Sequence, residues 1–171
     1  MTRAALLFLI LTAARSGEIR EATWSEIGHD FRIWTIPAER MKMKKQHRVP
    51  LSDQAIAILK ALKAQKLDDR LIFPSRRKTG GAKGTISDMT LTKFLRDVNA
   101  PSDTDRVATA HGFRSSFRDW ASEKRYSRDL AERALAHAIK DETEAAYHRT
   151  DLLENRRPMM EAWSAFVCSQ I

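Results

Sequence analysis

The stretch Thr143–Arg149, TEAAYHR, places one of the chain's two tyrosines, Tyr147, beside a histidine and an arginine, ten positions after His137. Other cationic groups stand singly at the ends of segments. Arg15 closes an apolar run at a Ser-Gly corner, Lys42 lies in a lysine-rich polar turn, His111 and Arg114 are three apart on one face of a helix start, and His137 ends an apolar helix. Arginine forks grip oxyanions through paired hydrogen bonds, and a phenol set among cations is a nucleophile suited to something negatively charged. Singly, each residue also has an ordinary explanation. Arg15 can pair with Glu18 or meet helix carbonyls, and Lys42 can be a solvated charge. His111 and Arg114 can be surface groups at a helix start, His137 a cation at a helix end, and Tyr147 a half-buried ring with a wet hydroxyl.

Competing chemistries leave no trace. There is no phosphate-binding glycine loop of the Walker or GxGxxG type, no HExxH and no paired-carboxylate arrangement, and the five histidines lack the spacing and cysteine support of a structural zinc site. Lys and Arg outnumber Asp and Glu by 30 to 22, a net charge of +8 that favours a polyanionic partner. The single cysteine, Cys168, rules out an internal disulfide framework and fits a reducing compartment. The opening AALLFLIL has the outline of a secretory h-region, but it is shorter than the ~20 residues that span a bilayer, and a helical pattern continues beyond it.

The elements that must carry these residues read as mainly helical. Residues 4–14 form a buried helix and Glu18, Ile19 and Ala22 a short second one. FRIWTIP (31–37) and HRVPL (47–51) pair as strands across the AERMKMKKQ turn, with a third strand near LIFPS (71–75). Ser52 or Asp53 caps a helix through AIAILKALKA, RRKTGGAKG (76–84) is a basic loop, and Thr90–Val98 is helical. Residues 111–123 make an amphipathic helix on Phe113, Phe117, Trp120 and Ala121, and Ser127 caps the next. Asp141 or Thr143 starts a helix holding Tyr147. Pro158 either opens a last helix or kinks a longer one, whose stripe is Met159, Met160, Trp163, Phe166 and Val167.

Taken together, TAARSGEI, MKMKKQHRVPLS, HGFR and LAH followed by AAYHR resemble, in order and separation, the motifs of the tyrosine recombinase (phage integrase) family. WSEI, IPAERMK and the AYHR…MMEAW ending are closest to integrases of satellite phages and genomic islands. The resemblance covers nearly the whole chain but only that family's catalytic domain, so residues 1–171 are expected to be one catalytic domain without the N-terminal DNA-binding parts. Three departures stand out: Ala13 and Ala136 occupy positions where the family usually has glycine, and the step from His137 to Tyr147 is one residue longer than in many relatives.

The resemblance implies an α+β, mainly helical fold with a small antiparallel sheet, and strand cleavage through a 3′-phosphotyrosine link. Arg15 and Arg114 would clamp the phosphate, His111 would accept the phenol proton or orient the phosphate, and His137 would donate to a non-bridging oxygen. Lys42, with Lys44 as second choice, would protonate the departing 5′-oxygen, and Tyr147 would be the nucleophile. Neither a metal nor another cofactor is called for. The implied partners are double-stranded attachment-site DNA, further copies of the chain (a tetramer on DNA) and accessory DNA-bending or excision proteins, in a bacterial cytoplasm at the nucleoid and away from membranes. Lys44, Lys45, Arg48, Arg76, Arg77, Lys78 and Lys83 are candidates for tracking the DNA backbone. Two other readings are a non-cleaving module on the same fold and a type IB topoisomerase-like relaxing enzyme. The last helix is equally expected to dock on its own body or on a neighbour.

Overall fold

The computed structural model describes residues 1–79, 82–102, 106–137 and 150–170. Helix α1 (Thr2–Thr12) is the central element. It is apolar almost all round, as a helix enclosed by others must be, and buries Ala5, Phe8, Leu9 and Leu11. Phe8 meets the rings of Trp34 and Phe73 at centroid distances of 5.5 and 5.6 Å. Truncating such a ring costs about 3–5 kcal/mol. The helix stops at Ala13, which turns into the left-handed region (φ 50°), and the short α2 (Ser16–Arg20) follows at once.

Strands β1 (Ile33–Ile36) and β2 (His47–Pro50) pair antiparallel, with Trp34 opposite Val49 and Ile36 opposite His47. Trp34, Ile36 and Val49 point into the core, the alternation a one-sided sheet requires. Helix α3 (Asp53–Ala64) is capped by Ser52, whose Oγ accepts from the Ala55 N–H at 3.3 Å. The basic segment expected as a loop is instead a hairpin. Strand β3 (Pro74–Thr79) pairs with β4 (Ala82–Thr85) as a second two-stranded sheet, not as a third strand of the first. The register runs to Thr79 opposite Ala82, the residues that flank the Gly-Gly dipeptide in sequence. Leu71 reaches the first region only through a single bridge to Thr23.

Helix α4 (Met89–Asp97) precedes α5 (Gly112–Glu123) and α6 (Arg128–Ala134), with Ser127 capping α6 as expected. A second core gathers Phe117, Trp120, Ala131, Ala134, Met159, Met160 and Trp163. The last helix, α7 (Leu153–Cys168), runs through Pro158, which gives up one backbone bond within it. α7 docks on its own chain: Trp163 Nε1 donates to the Ile10 carbonyl at 2.7 Å, and Ser164 Oγ to Gln54 at 2.8 Å. Phe166 lies at the edge of the expected stripe and is 42% exposed. The expected helix from Asp141 or Thr143, with Tyr147, lies outside the described residues. Among the described residues no helix is long and apolar enough to cross a membrane.

Candidate active site

Arg114 sits on the first turn of α5 because HGFR starts that helix, and the apolar positions Phe117, Trp120 and Ala121 turn the same face inward. Only 4% exposed, it donates Nη1 to the Ala13 carbonyl and Nη2 to the Leu135 carbonyl, the latter at 2.6 Å. Arg15, at the start of α2, donates Nη2 to the Ala136 carbonyl at 3.3 Å. Two arginines a hundred positions apart therefore converge on neighbouring carbonyls where α6 ends. Those carbonyls belong to a helix C-terminus, where the partial negative charge favours cations.

Both expected glycine positions now have a geometric meaning. Ala13 and Ala136 are in the left-handed region, with φ of 50° and 49°, and each offers its carbonyl to one of the arginines. A glycine holds that conformation without Cβ strain; alanine adopts it at a cost of about 1–2 kcal/mol. The backbone shape is retained here although the residue that suits it best is not.

Around the arginines lies an open cleft of about 590 Å³, lined by Arg15, Arg114, His111, Lys42 and Lys44, with Glu18, Glu39 and Arg40. His111 stands at the N-cap of α5, exposed, and Lys42 is exposed on the turn between β1 and β2. His137 joins through Arg114, its Nε2 lying 3.1 Å from Nη2. Five of the six expected catalytic residues are thus brought together. The sixth, Tyr147, lies outside the described residues.

Burial, and then the neighbouring Arg15, push the Arg114 guanidinium down to about 10, which leaves it charged at neutral pH. The cations are held together by carboxylates. Glu18, 6% exposed, accepts from the Arg15 N–H at 2.8 Å and from its Nη1 at 2.9 Å. The ordinary explanation of Arg15 is therefore also true: the same guanidinium that faces the cleft is fixed by a buried ion pair. On the far side of the cluster, burial and the charges of Arg156, Arg15 and Arg114 lower His47 to about 3, so it is a neutral imidazole.

Four residues here escaped the sequence reading as site groups. Glu18 was visible only as a partner for Arg15. Arg40 binds Glu26 and donates to the Glu18 carbonyl at 2.5 Å, fastening the lysine-bearing turn to α2. Glu132 bonds His137, and His47 lies among the arginines. Nothing in local spacing announces Arg40 or His47, whose partners are distant in sequence; Glu132, five residues before His137, was within reach of a local reading.

The candidate DNA contacts divide. Lys44 lines the cleft and Lys45 is exposed on the same turn. Arg48 is engaged within the molecule: it grips Asp151 with two bonds of 2.8 Å, and buried Arg156 lies 3.5 Å from the same carboxylate. Arg76, Arg77 and Lys78 are on β3 and Lys83 is on β4; their side chains are outside the description.

The chain is similar to known sequences over nearly its whole length. The profile of the phage integrase family matches residues 1–153. The chain is 39% identical over 166 residues to Prophage integrase IntA of Escherichia coli K12, covering 97% of this chain and 38% of that protein. It is 36% identical over 181 residues to the Integrase of Enterobacteria phage P4 (98% and 40%), and 34% identical over 161 residues to Prophage integrase IntZ of E. coli K12 (94% and 38%). It thus spans about two fifths of the length of these relatives. No solved structure gives a significant match. On the family match and the identities together, the chain belongs to the phage integrase family.

Proposed function

We propose that this chain is the catalytic domain of a site-specific DNA recombinase, which cuts and rejoins strands through a covalent 3′-phosphotyrosine during integration or excision of a mobile element. The convergence of Arg15 and Arg114 at one cleft, with His111 and Lys42 lining the same opening, is the observation that carries this reading. Each arginine spends part of its fork on fixed carbonyls, and the remaining N–H groups are preorganised donors for two non-bridging oxygens. Charge on those oxygens grows as the nucleophile arrives, so the clamp favours the transition state over the ground state.

In this mechanism the Tyr147 oxygen attacks phosphorus, the bond to the 5′-oxygen breaks, and the phosphotyrosine keeps the bond energy needed for rejoining. A phenol has a pKa near ~10, so its proton must be taken as it attacks; His111 accepts it. Lys42 Nζ gives a proton to the departing oxygen. The basic turn and the β3–β4 hairpin track the backbone of double-stranded attachment sites. Copies of the chain assemble on DNA, with accessory DNA-bending or excision proteins, in the bacterial cytoplasm.

The test is a duplex attachment site nicked next to the cleavage point, so that the released fragment diffuses away. A covalent adduct from the wild type, lost in Tyr147→Phe and mapped to the Tyr147 peptide, supports the proposal. No adduct at high protein concentration would leave the non-cleaving module as the better description.

A further inference from the structure

We propose that Glu132 is a positioning residue for His137, fixing the imidazole in the tautomer with its proton on Nδ1 and aiming Nε2 at the anion-binding edge of Arg114. This deepens the functional reading and rests on it only for the identity of the anion.

The assignment follows from counting donors and acceptors. His137 Nε2 lies 3.1 Å from Arg114 Nη2. A guanidinium has donors and no acceptor, so Nε2 must present its lone pair. The ring proton is then on Nδ1, which lies 2.5 Å from Glu132 Oε2 and donates to it. The other carboxylate oxygen, Oε1, accepts from Arg118 Nε at 2.8 Å. Arg118 is four residues beyond Arg114, on the same face of α5. The helix therefore holds the imidazole from both sides: directly at Nε2 through Arg114, and at Nδ1 through Arg118 and Glu132. Burial pushes the Glu132 carboxyl up, but hydrogen bonds from Arg118 and His137 outweigh this and leave it below its ordinary value, ionised and able to accept twice.

The hold matters because the His137 side chain is 43% exposed. An imidazole so placed, without a partner on Nδ1, would rotate among several rotamers and both tautomers. A carboxylate at Nδ1 removes that freedom and sets which nitrogen faces the reaction, as in any histidine oriented by a carboxylate; for Nε2 to donate to a non-bridging oxygen, as the family resemblance implies, the ring must first take up a second proton there. The two oxygens of Glu132 are spent on His137 and Arg118, so its effect is on orientation and its loss should weaken turnover more than DNA affinity.

Long-range proton–nitrogen NMR on the labelled full chain without DNA reads the tautomer. His137 is assigned by the signal missing from His137→Gln. The expected result is the Nδ1–H form in the wild type and conversion towards the Nε2–H form in Glu132→Ala. An Nε2–H ring in the wild type overturns the proposal, whether or not any variant folds; an unchanged tautomer in a folded Glu132→Ala protein does the same. With the nicked duplex, Glu132→Gln is expected to slow adduct formation by at least about tenfold while DNA affinity stays within about twofold. An affinity loss that matches the rate loss would make Glu132 part of the binding surface instead. A wild type that forms no adduct counts against the proposed function and leaves the tautomer result standing.

Discussion

The arginine cluster and the lysine turn face each other across one cleft but are built in opposite ways. Arg114 is buried, and three bonds to the α1 end, the α6 end and His137 fix its plane. Lys42 is exposed on a turn whose neighbours Met43, 48% exposed, and left-handed Lys44 project outward. The turn is fastened at its root, through Arg40 and the buried Met41. A fork that must meet two oxygens at once needs its direction set beforehand. An ammonium delivering one proton needs only reach, and its three rotatable donors tolerate a loose mount. The site divides between a part bound into the core and a part that costs the core little.

Folding stability should separate the two, and four substitutions order the effects. Arg114→Ala leaves the Ala13 and Leu135 carbonyls buried without a donor and is expected to destabilise by about 2–4 kcal/mol in urea unfolding, with cleavage lost besides. A change below about 1 kcal/mol would mean the cluster is no more integral than the turn. His47 comes next. Its folded value, lowered to about 3, lies below the ordinary 6.5, so under pH ~6.5 the unfolded chain binds the extra proton and stability falls as the pH drops. The slope is up to about 1.4 kcal/mol per pH unit and ends near the folded value. Between pH ~6 and ~5, above the range in which carboxylates protonate, His47→Gln should flatten the curve. Ala136→Gly should stabilise by up to about 1 kcal/mol, since relief of the left-handed strain exceeds glycine's larger unfolded-state entropy. Lys42→Ala is the smallest: within about 0.5 kcal/mol of wild type in urea, yet slower in adduct formation by on the order of 10²–10⁴ if it is the general acid. A normal rate in that variant, with Lys44→Ala impaired, would move the role to Lys44.

Much of this was legible because it is written in local spacing. The apolar rhythm of α5 forecast the buried face that carries Arg114, and Ser52 and Ser127 forecast their helix starts through cap chemistry that needs no partner further than three residues away. Family order named the cleft residues before any coordinate did. The β3–β4 hairpin was missed because a run of lysines and arginines reads as solvated loop; the Gly-Gly pair at its centre was the signal to weigh instead. Arg48 makes a related point: a basic residue in a basic turn looks free, whereas it has a carboxylate partner 103 positions later. His47 was invisible because which imidazole sits between guanidiniums is decided by tertiary packing alone; Glu132, five residues before His137 across the end of α6, was open to a local reading.

The bond from Trp163 to the Ile10 carbonyl has a consequence for how the molecule comes into being. It joins positions 153 apart, and the same indole closes edge-on over Phe117 at 5.4 Å. Helix α1 leaves the ribosome before α7 exists, so the strip that Trp163 covers stays open after Trp34, Leu59 and Phe73 have closed over its other sides. The helix bearing Arg114 cannot bury its aromatic face until α7, with Met159, Met160 and Trp163, has emerged. A nascent chain halted before Trp163 would therefore leave that strip of α1 and the aromatic face of α5 open to chaperones and proteases.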